Sequence, residues 1–208
     1  MKSKIGIVCI VLGAVLLAGA LGLMLFNLHQ DTAARNAAVD ILSRLVEQIR
    51  GNTPDEPADV IPDLELQVPP ELLTDEDKKM TEVEIDGYAY IGYLSVPTLD
   101  LELPIMSSWS YAQLRIAPCR YSGTLRGEDL VLMAHNYNTH FGRISQLSVG
   151  DSLSFTDMDG ETTRYRVVAT DVLDPTAVEA MTSGDFDLTL FTCTYSGANR
   201  VTVYCNKE

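Results

Sequence analysis

Positive charge is in short supply in this chain: 15 lysines and arginines stand against 29 aspartates and glutamates, a formal net charge of −14 over 208 residues. A surface of that sign repels a phosphate backbone, so nucleic acid is excluded as a partner. Histidine is scarcer, with three copies, His29, His135 and His140. It is the side chain that titrates nearest neutral pH, so few positions are open to proton transfer of that kind. The four cysteines, Cys9, Cys119, Cys193 and Cys205, do not lie near a histidine in sequence, and a zinc site is not expected. The acidic run Asp157-Met158-Asp159-Gly160-Glu161 lacks the later glutamate of a helix-loop-helix calcium site and reads as a solvated turn.

What the chain does have begins at its N-terminus. After Met1-Lys2-Ser3-Lys4, the 22 residues from Ile5 to Phe26 carry no charge. As a helix they rise about 33 Å, enough to cross a hydrocarbon core of about 30 Å. Ala18-Gly19-Ala20 resembles a signal-peptidase site, but Leu21 to Phe26 remains strongly apolar beyond it, which favours an uncleaved anchor. Lys2 and Lys4 before the span, with Asp31 soon after it, predict a cytoplasmic N-terminus and an extracellular remainder of a single-pass membrane protein. Residues 1–28 are thus read as a cytoplasmic tip and transmembrane signal anchor.

Ala34, Ala38, Ile41, Leu42, Leu45, Val46 and Ile49 recur at spacings of three and four, so residues 29–50 are expected to form an amphipathic stalk helix. Its apolar face either packs on the core or a partner, or continues the anchor helix near the membrane. Residues 51–80 carry Pro54, Pro57, Pro62, Pro69 and Pro70 among acids, a composition that stops helices, buries little and predicts a linker. Residues 81–208 form the remaining domain. Its hydrophobic runs at 88–96, 101–106, 129–134, 152–156, 163–173, 187–193 and 200–205 are short and separated by turn signals such as Asp159-Gly160. An all-β barrel or sandwich follows, with short helices expected at 110–114 and 141–147.

The chemistry concentrates at the end of the chain. Thr189-Leu190-Phe191-Thr192-Cys193 closes one apolar run with a cysteine, and Arg200-Val201-Thr202-Val203-Tyr204 opens the next with an arginine. A thiol nucleophile needs a proton-exchanging partner. His135, at the exit of Leu130-Val131-Leu132-Met133-Ala134, is better placed on rigid scaffold than His140 in the loop beyond it.

These residues resemble the sortases, the membrane-anchored cysteine transpeptidases of Gram-positive cell surfaces. Thr189 to Cys193 matches the family's T-L-x-T-C signature. Ile91-Gly92-Tyr93-Leu94-Ser95-Val96-Pro97 looks like its opening strand, Ala134-His135-Asn136 like its histidine segment, and Arg200 stands where its arginine is expected. The resemblance implies a closed sortase-type β-barrel preceded by the transmembrane helix and stalk, with His135, Cys193 and Arg200 as the catalytic set. Thr192, Ala134 and Leu190 would help to shape the substrate site. No cofactor is implied, although some family members use calcium bound by acidic loops.

The implied reaction is cleavage of an LPxTG-like sorting signal on secreted proteins through an acyl-enzyme. The protein is then transferred to an amine acceptor of the cell wall such as a peptidoglycan precursor. Ala134 replaces a usual glycine, and only six residues separate Cys193 from Arg200, which leaves the subclass open. The short stretch at 174–184 does not resemble class B. An Asp-Pro-aromatic lid motif is absent, and no second apolar span follows the last strand, which speaks against a pilin-polymerising sortase. A hydrolytic surface cysteine protease is the other alternative, although the papain-type Cys-Gly-Ser-Cys-Trp motif is missing. A non-catalytic anchored binding domain is a third. In an extracytoplasmic setting Cys119 has two conceivable disulfide partners, Cys205 and Cys193.

Overall fold

The computed structural model describes residues 2–52, 74 and 79–208. Most of the proline-rich stretch read as a linker lies outside them. Helix α1 runs unbroken over Lys2–Asn52, about 76 Å at the usual rise. No proline occurs before Pro54, so nothing separates the apolar segment from the amphipathic one, and α1 continues straight from one into the other. The region Val8–Gly51 contains a window of mean hydropathy 2.7, a candidate membrane span, and its Leu12, Leu16, Leu23 and Phe26 are exposed.

Nine strands follow among the described residues: β1 (Val83–Ile85), β2 (Tyr88–Val96), β3 (Leu101–Met106), β4 (Cys119–Ser122), β5 (Leu130–Ala134), β6 (Ser152–Asp157), β7 (Thr162–Leu173), β8 (Leu188–Cys193) and β9 (Arg200–Lys207). They are ordered β1-β2-β3-β4-β5-β8-β9-β7-β6, and β6 returns to pair with β2. Eight strands therefore close into a barrel, with β1 outside it. The pairs β3–β4 and β5–β8 are parallel; the others are antiparallel.

Closure depends on one glycine. Gly92 of β2 lies opposite Asp157 of β6 with φ +143°, and a Cβ there would stand 2.1 Å from the Thr156 carbonyl oxygen. The strand can approach that closely only without a side chain.

Inward positions fill the barrel: Ile91, Leu94, Ile105, Leu130, Leu132, Phe155, Leu188, Leu190 and Val203 share one core cluster. A second cluster joins the barrel to α1, where Ile41, Leu45 and Ile49 meet Tyr90, Met106, Leu114 and Met158. Burial of such side chains is worth roughly 2 kcal/mol apiece, so this half of α1 is seated on the barrel. Arg44 adds a bidentate pair to Asp86 at 2.7 and 2.9 Å. Its hydrogen bonds hold the Asp86 carboxyl below the usual range.

The all-β expectation and the closed barrel hold. Two strands were not expected, β1 and β4. The signal for β1 is Asp86-Gly87, whose φ angles of 53° and 80° make the tight turn of a hairpin. The helices expected at 110–114 and 141–147 are turns with one 3₁₀ segment each, Gln113–Arg115 and Ile144–Gln146. The 174–184 stretch holds a short helix, α2 (Val178–Thr182).

Candidate active site

The strand pattern brings the three expected catalytic residues to one edge of the barrel. Along β8, Leu188 and Leu190 point into the core while Phe191 packs on the outside, so alternation sends Cys193 outward with Phe191. On β9, Val203 and Cys205 belong to the core, which sends Arg200 outward too. Cys193 and Arg200 are direct cross-strand partners, a relation that sets Cβ atoms about 5 Å apart. On the other side of β8, Ala134 of β5 is in register with Thr192, so His135 emerges beside Cys193. All three side chains are half-buried.

The residues expected to line the substrate site have other places. Leu190 is fully buried inside the barrel and Ala134 is 5% exposed in the same core; neither shares the outer face of Cys193, because strand alternation gives their positions to the interior. Thr192 is buried and donates its hydroxyl to the Ala134 carbonyl at 2.8 Å, which binds the cysteine strand to the histidine strand.

On the outer face that carries Cys193, Phe191 packs with Val131 and Met181, with Tyr121, Met133 and Leu173 against them. Tyr121 meets Phe191 edge-on at 5.3 Å and stacks on Trp109 at 5.9 Å. Trp109 in turn meets the exposed Tyr111. An aromatic path therefore leads from solvent to the residue two before the cysteine. The alternation of β8 was the available sequence signal for Phe191; Trp109 and Tyr121 come from distant segments and had none.

Burial, and after it the Arg115 guanidinium, push the His135 imidazole below its ordinary value. It is therefore largely neutral at neutral pH. Its loop is tightly wound: Phe141 N donates to His135 O, Gly142 N donates to Tyr137 O, and a Cβ on Gly142 would stand 2.5 Å from the Asn136 carbonyl. Asn136 reaches the Thr194 carbonyl at 3.4 Å.

His140, read from the sequence as a loop residue, is fully buried because the loop folds inward with Phe141. Among the described residues neither of its ring nitrogens has a hydrogen-bond partner. Burial, with a further push from His135, lowers it to about 4, against the opposing Asp31 charge and the Ile116 backbone. Its unfolded value is about 6.5, so its contribution is fully present above pH 6.5 and is lost as pH falls toward 4, about 3 kcal/mol in all. Urea midpoints of the detergent-solubilised chain at pH 7 and 4.5 are expected to show this loss, and His140→Phe to reduce it. An equal pH dependence in the variant would refute the assignment.

Arg200 donates to the Gly197 and Asn199 carbonyls at 3.3 and 3.2 Å, lying on the turn that joins β8 to β9. That turn is closed by Thr194 N donating to Asn199 O at 2.9 Å.

All four cysteines are free thiols. Cys119 and Cys205 lie in different core clusters, and burial pushes each up to about 12, so they are inert packing residues. Among the described residues no group of three histidine, cysteine or acidic side chains is placed to hold a metal. Asp157 Oδ1 accepts from the Asp159 and Glu161 backbone N–H groups at 3.0 and 2.9 Å, closing the acidic turn.

A family model described as the Sortase domain matches residues 94–208. No curated protein matches the chain. Among solved structures, sortase C1 of Streptococcus suis is similar at 26% identity over 57% of this chain and 73% of that one, with a TM-score of 0.52. Sortase C of Clostridium perfringens SM101 is 20% identical over 84% and 89%, with a TM-score of 0.53. A lid mutant of sortase A from Corynebacterium diphtheriae is 21% identical over 82% and 95%, also at 0.53. Nearly equal scores for A and C designations do not single out a subclass.

Proposed function

This chain belongs to the sortase family, whose model covers more than half of it, and from that premise we propose a membrane-anchored cysteine transpeptidase that uses Cys193, His135 and Arg200. The observation that carries the reading is the register: Cys193 opposite Arg200, with His135 one step past the Ala134–Thr192 rung. Burial and the Arg115 guanidinium hold the His135 imidazole below its ordinary value, which favours the neutral form that can accept a proton.

His135 therefore takes the thiol proton as Cys193 Sγ attacks the backbone carbonyl of a sorting signal. Arg200, released from the carbonyls of Gly197 and Asn199, donates to the oxyanion. The carbon–nitrogen bond breaks, His135 returns its proton to the departing amine, and a thioester remains on Cys193. An incoming amine, such as that of a peptidoglycan precursor, loses a proton to His135, forms the new amide and frees the thiol.

The wall of Phe191, Val131 and Met181 suits an apolar side chain of an LPxTG-like signal. The apolar part of α1 would anchor the enzyme with its N-terminus cytoplasmic and its barrel outside, where secreted proteins pass.

The test is mass spectrometry of the detergent-solubilised chain with LPxTG-like and NPxTN-like peptides, with and without triglycine. The expected product is a cleaved peptide joined to triglycine. Hydrolysis alone would move the reading to a surface cysteine protease. Neither cleavage nor an acyl-enzyme mass across the panel would overturn it.

A further inference from the structure

The loop that follows His135 is held by α1. Tyr137 donates its hydroxyl to Gln30 Oε1 at 3.1 Å. Thr139 donates both its backbone N–H and its hydroxyl to Asp31 Oδ1, at 3.2 and 2.8 Å. These contacts bridge 107 and 108 residues of sequence. The ring of Tyr137 lies 5.1 Å from His135 on one side and 5.4 Å from His140 on the other, so the residue gripped by α1 is the one packed on the imidazole.

Asp31 comes five residues after Phe26, the end of the uncharged run, a rise of about 7.5 Å. A cavity of about 710 Å³ continues the same seam, between Leu23, Met24 and Asn27 of α1 and Asn136, Tyr137 and Tyr195 of the barrel loops. The backbone bonds of the loop are largely to itself, as with Gly142 to Tyr137; Phe141 and Ile144 seat its far end in the barrel core, while the side of Tyr137 and Thr139 is held by α1.

We infer that Gln30 and Asp31 are positioning residues for His135, so that α1 serves the reaction as well as the membrane. The inference rests on the transpeptidase reading for its kinetic consequence but not for its structural one. Loss of the two contacts lets Tyr137 move off the imidazole and admits water. The charged and titratable groups facing His135 are Arg115 from the 3₁₀ segment, Tyr137 and His140 from its loop, and Cys193 from β8, with Asp31 opposing His140 from α1. The double variant removes the Asp31 charge, and Asp31→Asn removes the same charge while keeping the acceptor, so the difference between them isolates the lost contacts. The screening of Arg115 and the hydration of the ring change, and the imidazole moves up toward its ordinary value of about 6.5.

The experiment compares the native full chain in phospholipid nanodiscs with the double variant Gln30→Ala, Asp31→Ala, and with Asp31→Asn, which keeps an acceptor oxygen for Thr139. In the double variant kcat is expected to fall about tenfold, as a displaced proton donor costs turnover. KM should stay within about twofold, because the Phe191 wall is untouched. Asp31→Asn should retain most of the rate. In parallel, ¹³C-histidine NMR follows His135, whose titration should move upward in the double variant and stay near native in Asp31→Asn. An unmoved titration, or a loss of kcat that Asp31→Asn shares in full, overturns the inference. If the native chain transfers no peptide, the transpeptidase reading fails, and the titration alone still decides whether α1 positions the histidine.

Discussion

Cys193→Ala is expected to lower kcat/KM for peptide transfer by at least about a thousandfold and to abolish the acyl-enzyme mass, because no other thiol can take its place. Cys119 and Cys205 are fully buried, and Cys9 lies on the apolar part of α1. In the proposed mechanism Cys193, His135 and Arg200 act on one tetrahedral centre, so their losses should not add. His135→Ala alone should cost nearly as much as Cys193→Ala, and the double variant little more than either. Arg200→Ala should cost about a hundred- to a thousandfold, the usual loss for one oxyanion donor.

Arg200→Lys should restore little of that loss. Its point charge cannot present the planar guanidinium fork, of which Nη1 donates to both the Gly197 and the Asn199 carbonyl in this structure. Single-turnover kinetics with a chromogenic peptide separates acylation from amine transfer. Strictly additive losses for Cys193 and His135 would mean that the two do not share a transition state, contrary to the register that sets them side by side.

Gly92→Val is expected to prevent the barrel from closing, at a cost of about 4 kcal/mol or more, a large share of the stability of an ordinary domain. The added Cβ would meet three groups: the Thr156 carbonyl oxygen at 2.1 Å, the Phe155 ring at 2.8 Å and Asp157 Cα at 2.9 Å. Two of these are backbone and cannot turn aside, and the φ of +143° is itself strained for any residue with a side chain. Gly87→Ala is the matched control. Its φ is +80° with nothing within 4 Å of the added Cβ, so it carries only the conformational penalty of roughly 1–2 kcal/mol. Urea midpoints of the two variants should differ accordingly. Equal midpoints would show that the β2–β6 approach is not what requires glycine.

Seven of the nine strands were legible from hydrophobic runs, because a strand with one face in a barrel core must carry apolar residues at alternate positions. The two that escaped are short: Val83–Ile85 has three residues and Cys119–Ser122 four, too few to establish a period. The helix on residues 29–50 was legible as a stripe. That the stripe seats on the barrel was one of two readings open to it, since the burial of Ile41, Leu45 and Ile49 depends on Tyr90 and Met106 arriving from β2 and β3.

By itself the sequence determined the all-β class and the long apolar helix, and its resemblance to the sortases pointed to Cys193, His135 and Arg200. Those are properties of short segments, set by periodicity, charge and the chemistry of single side chains. The tertiary structure decided which of them meet and on which face. Parallel pairing of β5 with β8 puts His135 beside Cys193. Inward alternation assigns Leu190 and Ala134 to the core and leaves the outer face beside Cys193 to Phe191, Tyr121 and Trp109. Folding of the 135–142 loop buries His140 and hands Tyr137 and Thr139 to α1. Each of these joins residues tens to more than a hundred positions apart, and such pairings follow from barrel closure and packing, which no local window contains.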